Sequence, residues 1–418
     1  MPKRRTEVAA PRPDAGDPEA FRPVRVIRVD VDSPVLETGA HLEPGDVVWA
    51  EAIRKGRIIG RLETHLTDGH DAAAVLDEVA RAFPLADDDG EPPRVPDSAL
   101  PAVSVVVSTL GERPVPLART LASLEALDYP RFEVVLVDNR PGAAGPPLAF
   151  PGCAHVRVVQ EPVQGIARGR NRGIVDSTSE VVAFTDDDVV VDPGWLRALA
   201  SRFVVEPDLD AVAGLVLPTE LATEAQLWFE QYYGGYSQSF RRSSMSLATE
   251  RDPLFPYAPG RFGAGCNMAF RRTILERVHG FDPVLGTGTP ARGGEDLGIF
   301  ITVIRNGGAL GFEPAALVRH THRRTHDEFL GQVRMYGTGL AAMYTSLIAE
   351  DPRTLGELLR RVPAGFRLLV RPREKRSPSA MPTYPRRALL YQVLGMIVGP
   401  LAYARSRLAA RRVPTVRP

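Results

Sequence analysis

The middle of this sequence predicts an α/β fold: an open, mainly parallel sheet with helices on both faces. Three observations lead there. "VSVVVS" and "FEVVLV" are short, continuous apolar runs, as expected of parallel strands covered on both sides. Between them, Leu117, Leu121 and Leu124 recur at helical spacing, which gives a strand, crossover helix, strand unit. "VRVVQ", a helix over about 167–176 and "VVAFT" then repeat the arrangement. Ligands of such sheets bind beyond the carboxyl ends of the strands. Asp138 and Asp186 both stand at such ends.

The remaining segments follow in chain order. Residues 1–20 are rich in Pro, Ala and charge and offer nothing to bury, as in a disordered arm. No apolar run follows the basic start, which argues against a signal peptide and for a cytoplasmic protein. Over 21–84, "VRVIRVDV" alternates as a half-buried strand does, two further strands flank a turn at Lys55 and Gly56, and Val75, Val79 and Phe83 mark a helix. This is a small β-rich module. Residues 85–101 are Pro-rich and acidic and read as a linker. The main domain occupies 102–344, and a basic helical region fills 345–418.

Composition narrows the function. Fifty-one basic residues balance fifty-one acidic ones, so no global field selects nucleic acid as a partner. Two cysteines, Cys153 and Cys266, cannot build a disulfide framework and have no metal-ligand spacing. The informative stretch is "VVAFTDDDVVVDPGW". In an extended chain residues i and i+2 point the same way, so Asp186 and Asp188 face one ligand and Asp187 faces elsewhere. Two converging carboxylates repel unless a cation lies between them, and oxygen ligands suit Mg²⁺ or Mn²⁺, whose remaining shell a diphosphate fills. The bland alternative is a helix-entry loop, although Asp192 before Pro193 fits that cap better. Arg168 and Arg170 open a helix, where positive charge opposes the macrodipole and an anionic partner relieves the conflict. Glu295 and Asp296 begin another helix, where acids are ordinary dipole partners.

With those residues on the page, the stretch from about Val103 to Gly339 resembles the nucleotide-sugar-dependent glycosyltransferases of family 2, which carry the Rossmann-like GT-A fold. Six motifs in order carry the resemblance: "VSVVVSTLGERP", "VVLVDN", "GIARGRNRGI", "FTDDDV", "FGAGCNMAFRR" and "GGEDLGIF". It implies an inverting, metal-dependent enzyme that moves a single sugar from a nucleotide-diphosphate-sugar to an acceptor hydroxyl. The acceptor would be a sugar, a lipid-linked molecule or a small molecule. By this resemblance Ser108, Thr109, Glu112, Asp138, Arg170, Asp186 and Asp187 contact the donor, with Asp138 on the nucleobase and Asn171 in local packing. Asp188 and Asp186 hold the metal, with His320 or His322 as a further ligand. Gly265, Asn267 and Glu295 face the acceptor, and Asp296 is the base.

Near the end, "QVRMYGTG" departs from the QxxRW signature of processive synthases in Arg spacing and lacks the Trp, which favours transfer of one sugar. "ALLYQVLGMIVGPLAYA" is apolar between arginine pairs but falls short of a span and contains Gln392 and Pro400. A membrane-surface helix, a helix buried on the domain and a true span remain open. Two rival functions are a nucleotidyltransferase, for which the loop after the first strand lacks a GxGxR-like signature, and an inactive sugar-binding scaffold.

Overall fold

Alternate residues of each main-sheet strand enter two different cores, and this division builds the domain. The computed structural model describes residues 21–33, 35–36, 42–67, 71–84, 94–143, 145–146, 148–150, 152–233, 235–237, 239–370, 385–413 and 416–418. The expected arm at 1–20 lies outside them. The small module comprises β1 (Arg25–Asp30), β2 (Val35–Leu36), β3 (Val47–Arg54), β4 (Arg57–His65) and α1 (Ala72–Ala82). The main domain continues with β5 (Val103–Thr109), α2 (Pro114–Glu125), β6 (Phe132–Asp138), β7 (Val156–Gln160), α3 (Ile166–Asp176), β8 (Val181–Thr185), β9 (Val189–Val191) and α4 (Trp195–Val205). It is completed by β10 (Ala211–Pro218), α5 (Glu224–Tyr233), β11 (Ser243–Met245), β12 (Met268–Arg271), α6 (Arg272–Arg277), α7 (Glu295–Arg305) and β13 (Leu310–His320). Three helices close the chain: α8 (His326–Glu350), α9 (Arg353–Val370) and α10 (Arg386–Ala410).

The sheet is the expected open, mainly parallel one. Strands β7, β6, β5 and β8 pair in parallel, the reversed β12 follows, and β10 and β13 resume the first direction. Short β11 and β9 pair antiparallel to β13. Val106, Val135, Val137 and Phe184 pack with Ala167 and Ile174 of α3 and Phe300 of α7. Val105, Val107, Val134 and Leu136 instead meet Leu117, Leu121 and Leu124 of α2 and Trp195 of α4. Continuous apolar runs are therefore required, because both faces are covered. The register sets Thr109 opposite Asp138 and Val107 opposite Thr185, which brings the carboxyl ends of β5, β6 and β8 into line.

In the module, Lys55 and Gly56 both have positive φ, 47° and 73°, as a two-residue hairpin turn demands. Val75 and Val79 of α1 cover one face of its sheet. The other face docks on the main domain: Trp49 meets Leu221 and Leu227, Arg319 donates to Glu51 at 2.8 Å, and Arg61 pairs with Glu230 at 2.9 Å.

Two expected boundaries are displaced. Residues 85–93 lie outside the described residues, but Val95 and Leu100 of the expected linker are buried with α2 and α4, so the linker's end belongs to the main domain. The break expected at 344–345 falls inside α8, a continuous helix of 25 residues. At its start, Thr325 and Glu328 form a capping box, which fixes the helix N-terminus.

Helix α10 runs unbroken through Gln392 and Pro400, and by length and composition it is long and apolar enough to cross a membrane, contrary to the expected shortfall. One side of it is docked along α8 through Ala388, Gly395, Gly399, Ala402 and Ser406, all buried. The approach is so close that a Cβ on Gly395 would lie 2.2 Å from the Arg334 carbonyl oxygen. Gly395→Val should therefore push α10 off α8. Because overpacking costs about 1–3 kcal/mol, we expect a lower denaturation midpoint and faster proteolytic release of 386–410. Unchanged values for both would show that the two helices do not depend on that contact.

Candidate active site

Four chain segments bring charge to the carboxyl edge of the sheet. Of the three aspartates in the loop after β8, Asp186 and Asp188 come together in one set and Asp187 does not, as the i, i+2 argument requires. Asp187 accepts from Thr109 Oγ1 at 2.6 Å and from Arg113 at 2.7 Å. Asp186 meets Arg170 at 3.2 Å. Asp188 accepts from Arg113 at 2.5 Å and lies 3.6 Å from His320 Nε2 at the end of β13. One ligand atom each from Asp186, Asp188 and His320 lie within 4.8 Å of one another. Two carboxylate oxygens and one imidazole nitrogen are a donor set suited to a divalent cation, and the nitrogen favours Mn²⁺ over Mg²⁺.

Electrostatics agree with that set. Burial pushes Asp186 up to about 6, with Asp188, Asp187 and Asp296 adding repulsion against the attraction of Arg170. Burial lowers His320 to about 4, against Asp188, so its imidazole is neutral at pH 7 and keeps a lone pair for a metal. Burial disfavours the Asp188 carboxylate as well, but His320 and Arg113 outweigh it and lower its pKa. Since His320 is itself neutral, Arg113 is the effective cation there.

Arg170 is the hub. Its side chain is only 4% exposed, and it donates to Glu295 at 3.0 Å, to Asp186 and to the Gly265 carbonyl at 3.1 Å. Gly265 in turn donates its N–H to Asp296 at 3.0 Å. A Cβ on Gly265 would fall 2.8 Å from the Arg170 guanidinium and 3.1 Å from Asp296 Cβ, so a side chain there would displace one of these groups. Glu295 and Asp296 occupy the first turn of α7, where the helix dipole favours negative charge. Burial and the neighbouring Asp296 nevertheless push Glu295 up to about 7, against the pull of Arg170.

Several expected roles are redirected. Asn267, expected to face the acceptor, is fully buried, and its amide is consumed by Trp195 Nε1 and the Leu215 and Ala316 carbonyls at 2.8–2.9 Å. His322 stands apart from the metal set because its Nε2 is bonded to Glu230 at 2.7 Å. Asp138 is buried and bound by Arg140 Nε and a terminal NH at 2.8 and 2.6 Å, which lowers its pKa. Its neighbour Asn139 lines the cleft instead, together with Ser108, Thr109 and Glu112. Asn171 packs locally as expected, clamping the Phe281 main chain at 2.8 Å on both sides. Arg113, Tyr236 and Tyr336 were not anticipated; all three line the cleft, and the two phenols are 3.1 Å apart. Arg113 has a visible signal, a basic residue in the loop after the first strand. The tyrosines have none.

The charged groups gather at the carboxyl edge of the sheet, where ligands of open α/β folds bind. Residues 104–278 match the model described as "Glycosyl transferase family 2", so this stretch of the main domain resembles that family, and the fold is of the GT-A type. Asp296 and His320 lie beyond the matched residues. The "Pre-mycofactocin glycosyltransferase" of Mycobacterium tuberculosis is 28% identical over 232 residues, 54% of this chain and 44% of that protein. The "Glucosyl-dolichyl phosphate glucuronosyltransferase" of Haloferax volcanii is 28% identical over 188 residues, 44% of this chain and 57% of that one. The chain thus spans about half the length of these relatives. Among solved structures, a mannosyltransferase from Pyrobaculum calidifontis in complex with GDP-Man and Mn²⁺ superposes with TM-score 0.42 at 17% identity, covering 80% of this chain and 81% of the other.

The raised Glu295 pKa makes stability depend on pH. The folded state holds the Glu295 proton up to about pH 7, whereas the unfolded state releases it near 4.5. Stability is therefore greatest below 4.5 for this group and is lost as pH rises through 7. In metal-free protein, Glu295→Gln should remove that part of the pH dependence of the melting temperature, leaving the contributions of Glu63 and Asp186, which are raised likewise, and of His320, which is lowered and acts in the opposite sense. An unchanged slope would place the titration elsewhere.

Proposed function

We propose that this chain is an inverting glycosyltransferase that moves one sugar from a nucleotide-diphosphate-sugar to an acceptor hydroxyl. One observation carries the reading: the metal-type set Asp186, Asp188 and His320 and the helix-end carboxylate Asp296 share one cleft, joined through Arg170 and Gly265. Asp296 accepts the acceptor proton. The acceptor oxygen forms a bond to the anomeric carbon, and the bond from that carbon to the diphosphate oxygen breaks with its electron pair on the nucleoside diphosphate. A divalent cation, when bound, neutralises charge on the departing diphosphate.

The chain's own groups do the rest. Helix α7 directs its positive end at Asp296, and the Gly265 N–H holds the carboxylate in place. Ser108, Thr109, Glu112 and Asn139 border the nucleotide space. The nucleobase lies beside Asn139, because Asp138 is withdrawn from the cleft in its pair with Arg140. Arg113 supplies positive charge on the diphosphate side. Mn²⁺ suits the oxygen and nitrogen donors.

The other face of α10 carries Leu389, Leu390, Val393, Ile397 and Leu401, 44–71% exposed. From Pro385 to Pro418 there are seven arginines and no acidic residue. An apolar face flanked by cations matches the anionic cytoplasmic face of a membrane, and the protein sits there peripherally.

Two measurements test these assignments. A nucleotide-sugar screen by thermal shift with Mn²⁺ identifies the donor. With it, Asp296→Asn should keep donor affinity within a few-fold while transfer falls by about 10²–10⁴, and Asp188→Asn should lose Mn²⁺-dependent donor binding. Near-normal turnover in the first, or unchanged metal dependence in the second, would assign the roles to other residues.

For the membrane, Ile397→Glu with Leu401→Glu should weaken sedimentation with phosphatidylglycerol vesicles by about tenfold or more. Truncation is a poorer probe, because removing α10 also uncovers α8. Equal sedimentation of the variant would rule out this face.

A further inference from the structure

The cleft that holds Asp296 extends well past the space a sugar needs. Its volume is about 2400 Å³, above the roughly 300–1,000 Å³ of small-molecule sites. From the acidic floor its wall passes along Tyr257, Leu340 and Tyr344 to Leu358 and Val362 of α9 and Met396 of α10. Val362 and Met396 are also 60% and 40% exposed. The side chains that end the cleft thus stand on the outer apolar surface of α9 and α10.

A path for a hydrophilic acceptor needs hydrogen-bonding groups along its length. Here the polar side chain of the outer stretch, Arg361, is engaged: it lies over the Tyr257 ring at 5.1 Å and donates to the Glu357 and Phe255 carbonyls at 2.9 and 3.2 Å. Gln392 and the loop of Glu250, Asp252 and Arg261 add polar lining, and in that loop Arg261 is paired with both acids, at 2.5 Å to Asp252 and 3.5 Å to Glu250. Resting on the glycosyl-transfer reading above, we propose that the acceptor is amphiphilic. Its hydroxyl-bearing head lies at Asp296, and its apolar chain leaves the cleft past Val362 and Met396 into the lipid surface. The cationic, apolar α10 then has a purpose in catalysis, since it holds the mouth of the cleft against the phase in which such an acceptor dissolves.

The test is photolabelling of the full chain by dodecyl β-glucoside bearing a terminal diazirine, below its micelle concentration, with methyl, octyl and dodecyl β-glucosides as competitors. Label is expected in peptides containing Val362 and Met396. Dodecyl should compete about tenfold or more better than octyl, and methyl should not compete. Met396→Glu and Val362→Glu should each cut labelling, whereas Ile397→Glu, which faces outward and does not line the cleft, should retain it. Equal competition by methyl glucoside, label mapped elsewhere, or retention of label in both cleft variants would overturn the proposal. Loss in Ile397→Glu with retention in the other two would mean simple adhesion to the outer face and would overturn it as well. The donor screen separates this from the broader reading. Donor stabilisation without chain-length dependence removes only the acceptor class, and no donor stabilisation removes the transfer itself.

Discussion

One buried guanidinium organises the site. Arg170 sits where α3, the loop after β8, the strand entering β12 and the start of α7 converge, and it touches Glu295, Asp186 and the Gly265 carbonyl at once. Burying a cation this deeply is costly unless it is paired. Here the partners are themselves mutually repulsive carboxylates that no other described cation reaches so closely. The pairing is therefore reciprocal: the arginine makes an acidic cleft floor tolerable, and the acids make a buried arginine tolerable. Removing either side would leave uncompensated charge and not merely one lost contact.

The charge that Arg170 leaves unbalanced is chemically useful. Asp186 retains a raised pKa of about 6 even beside it, and Asp188 needs Arg113 to stay low. A divalent cation placed among these groups would remove the repulsion that the fold itself maintains. Neutral His320 adds a ligand without adding charge.

Around this centre the attachments work as buttresses. The small module is wedged by Trp49 against Leu221 and Leu227 and joined by Arg61 to Glu230, the carboxylate that also holds His322. It thereby supports the strand end that presents His320, two residues away. On the other side, α8 carries Tyr336, Leu340 and Tyr344 into the cleft and receives α10 along its back. Neither attachment supplies one of the acidic groups, but both shape the space in which those groups act.

Much of this was legible in the chain. Apolar runs and 3.6-residue spacing located β5, α2, β6, β7, α3 and β8, the i, i+2 rule separated Asp187 from its neighbours, and two acids marked the start of α7. Such signals are local, because covalent geometry alone fixes which side chains share a face. Choices among chemically equal candidates were not legible. His320 rather than His322 joins the metal set because Glu230, 92 residues away, takes His322. Asn267 serves packing rather than an acceptor because Trp195 and two carbonyls consume its amide. Arg113 reaches two aspartates about 75 positions on, and α10 keeps one apolar face bare only because α8 covers the other. The sequence by itself determined which residues can do chemistry and on which element each sits; tertiary structure decided which of them are free to do it, since a polar group acts on a ligand only where no nearer partner from a distant segment has already satisfied it.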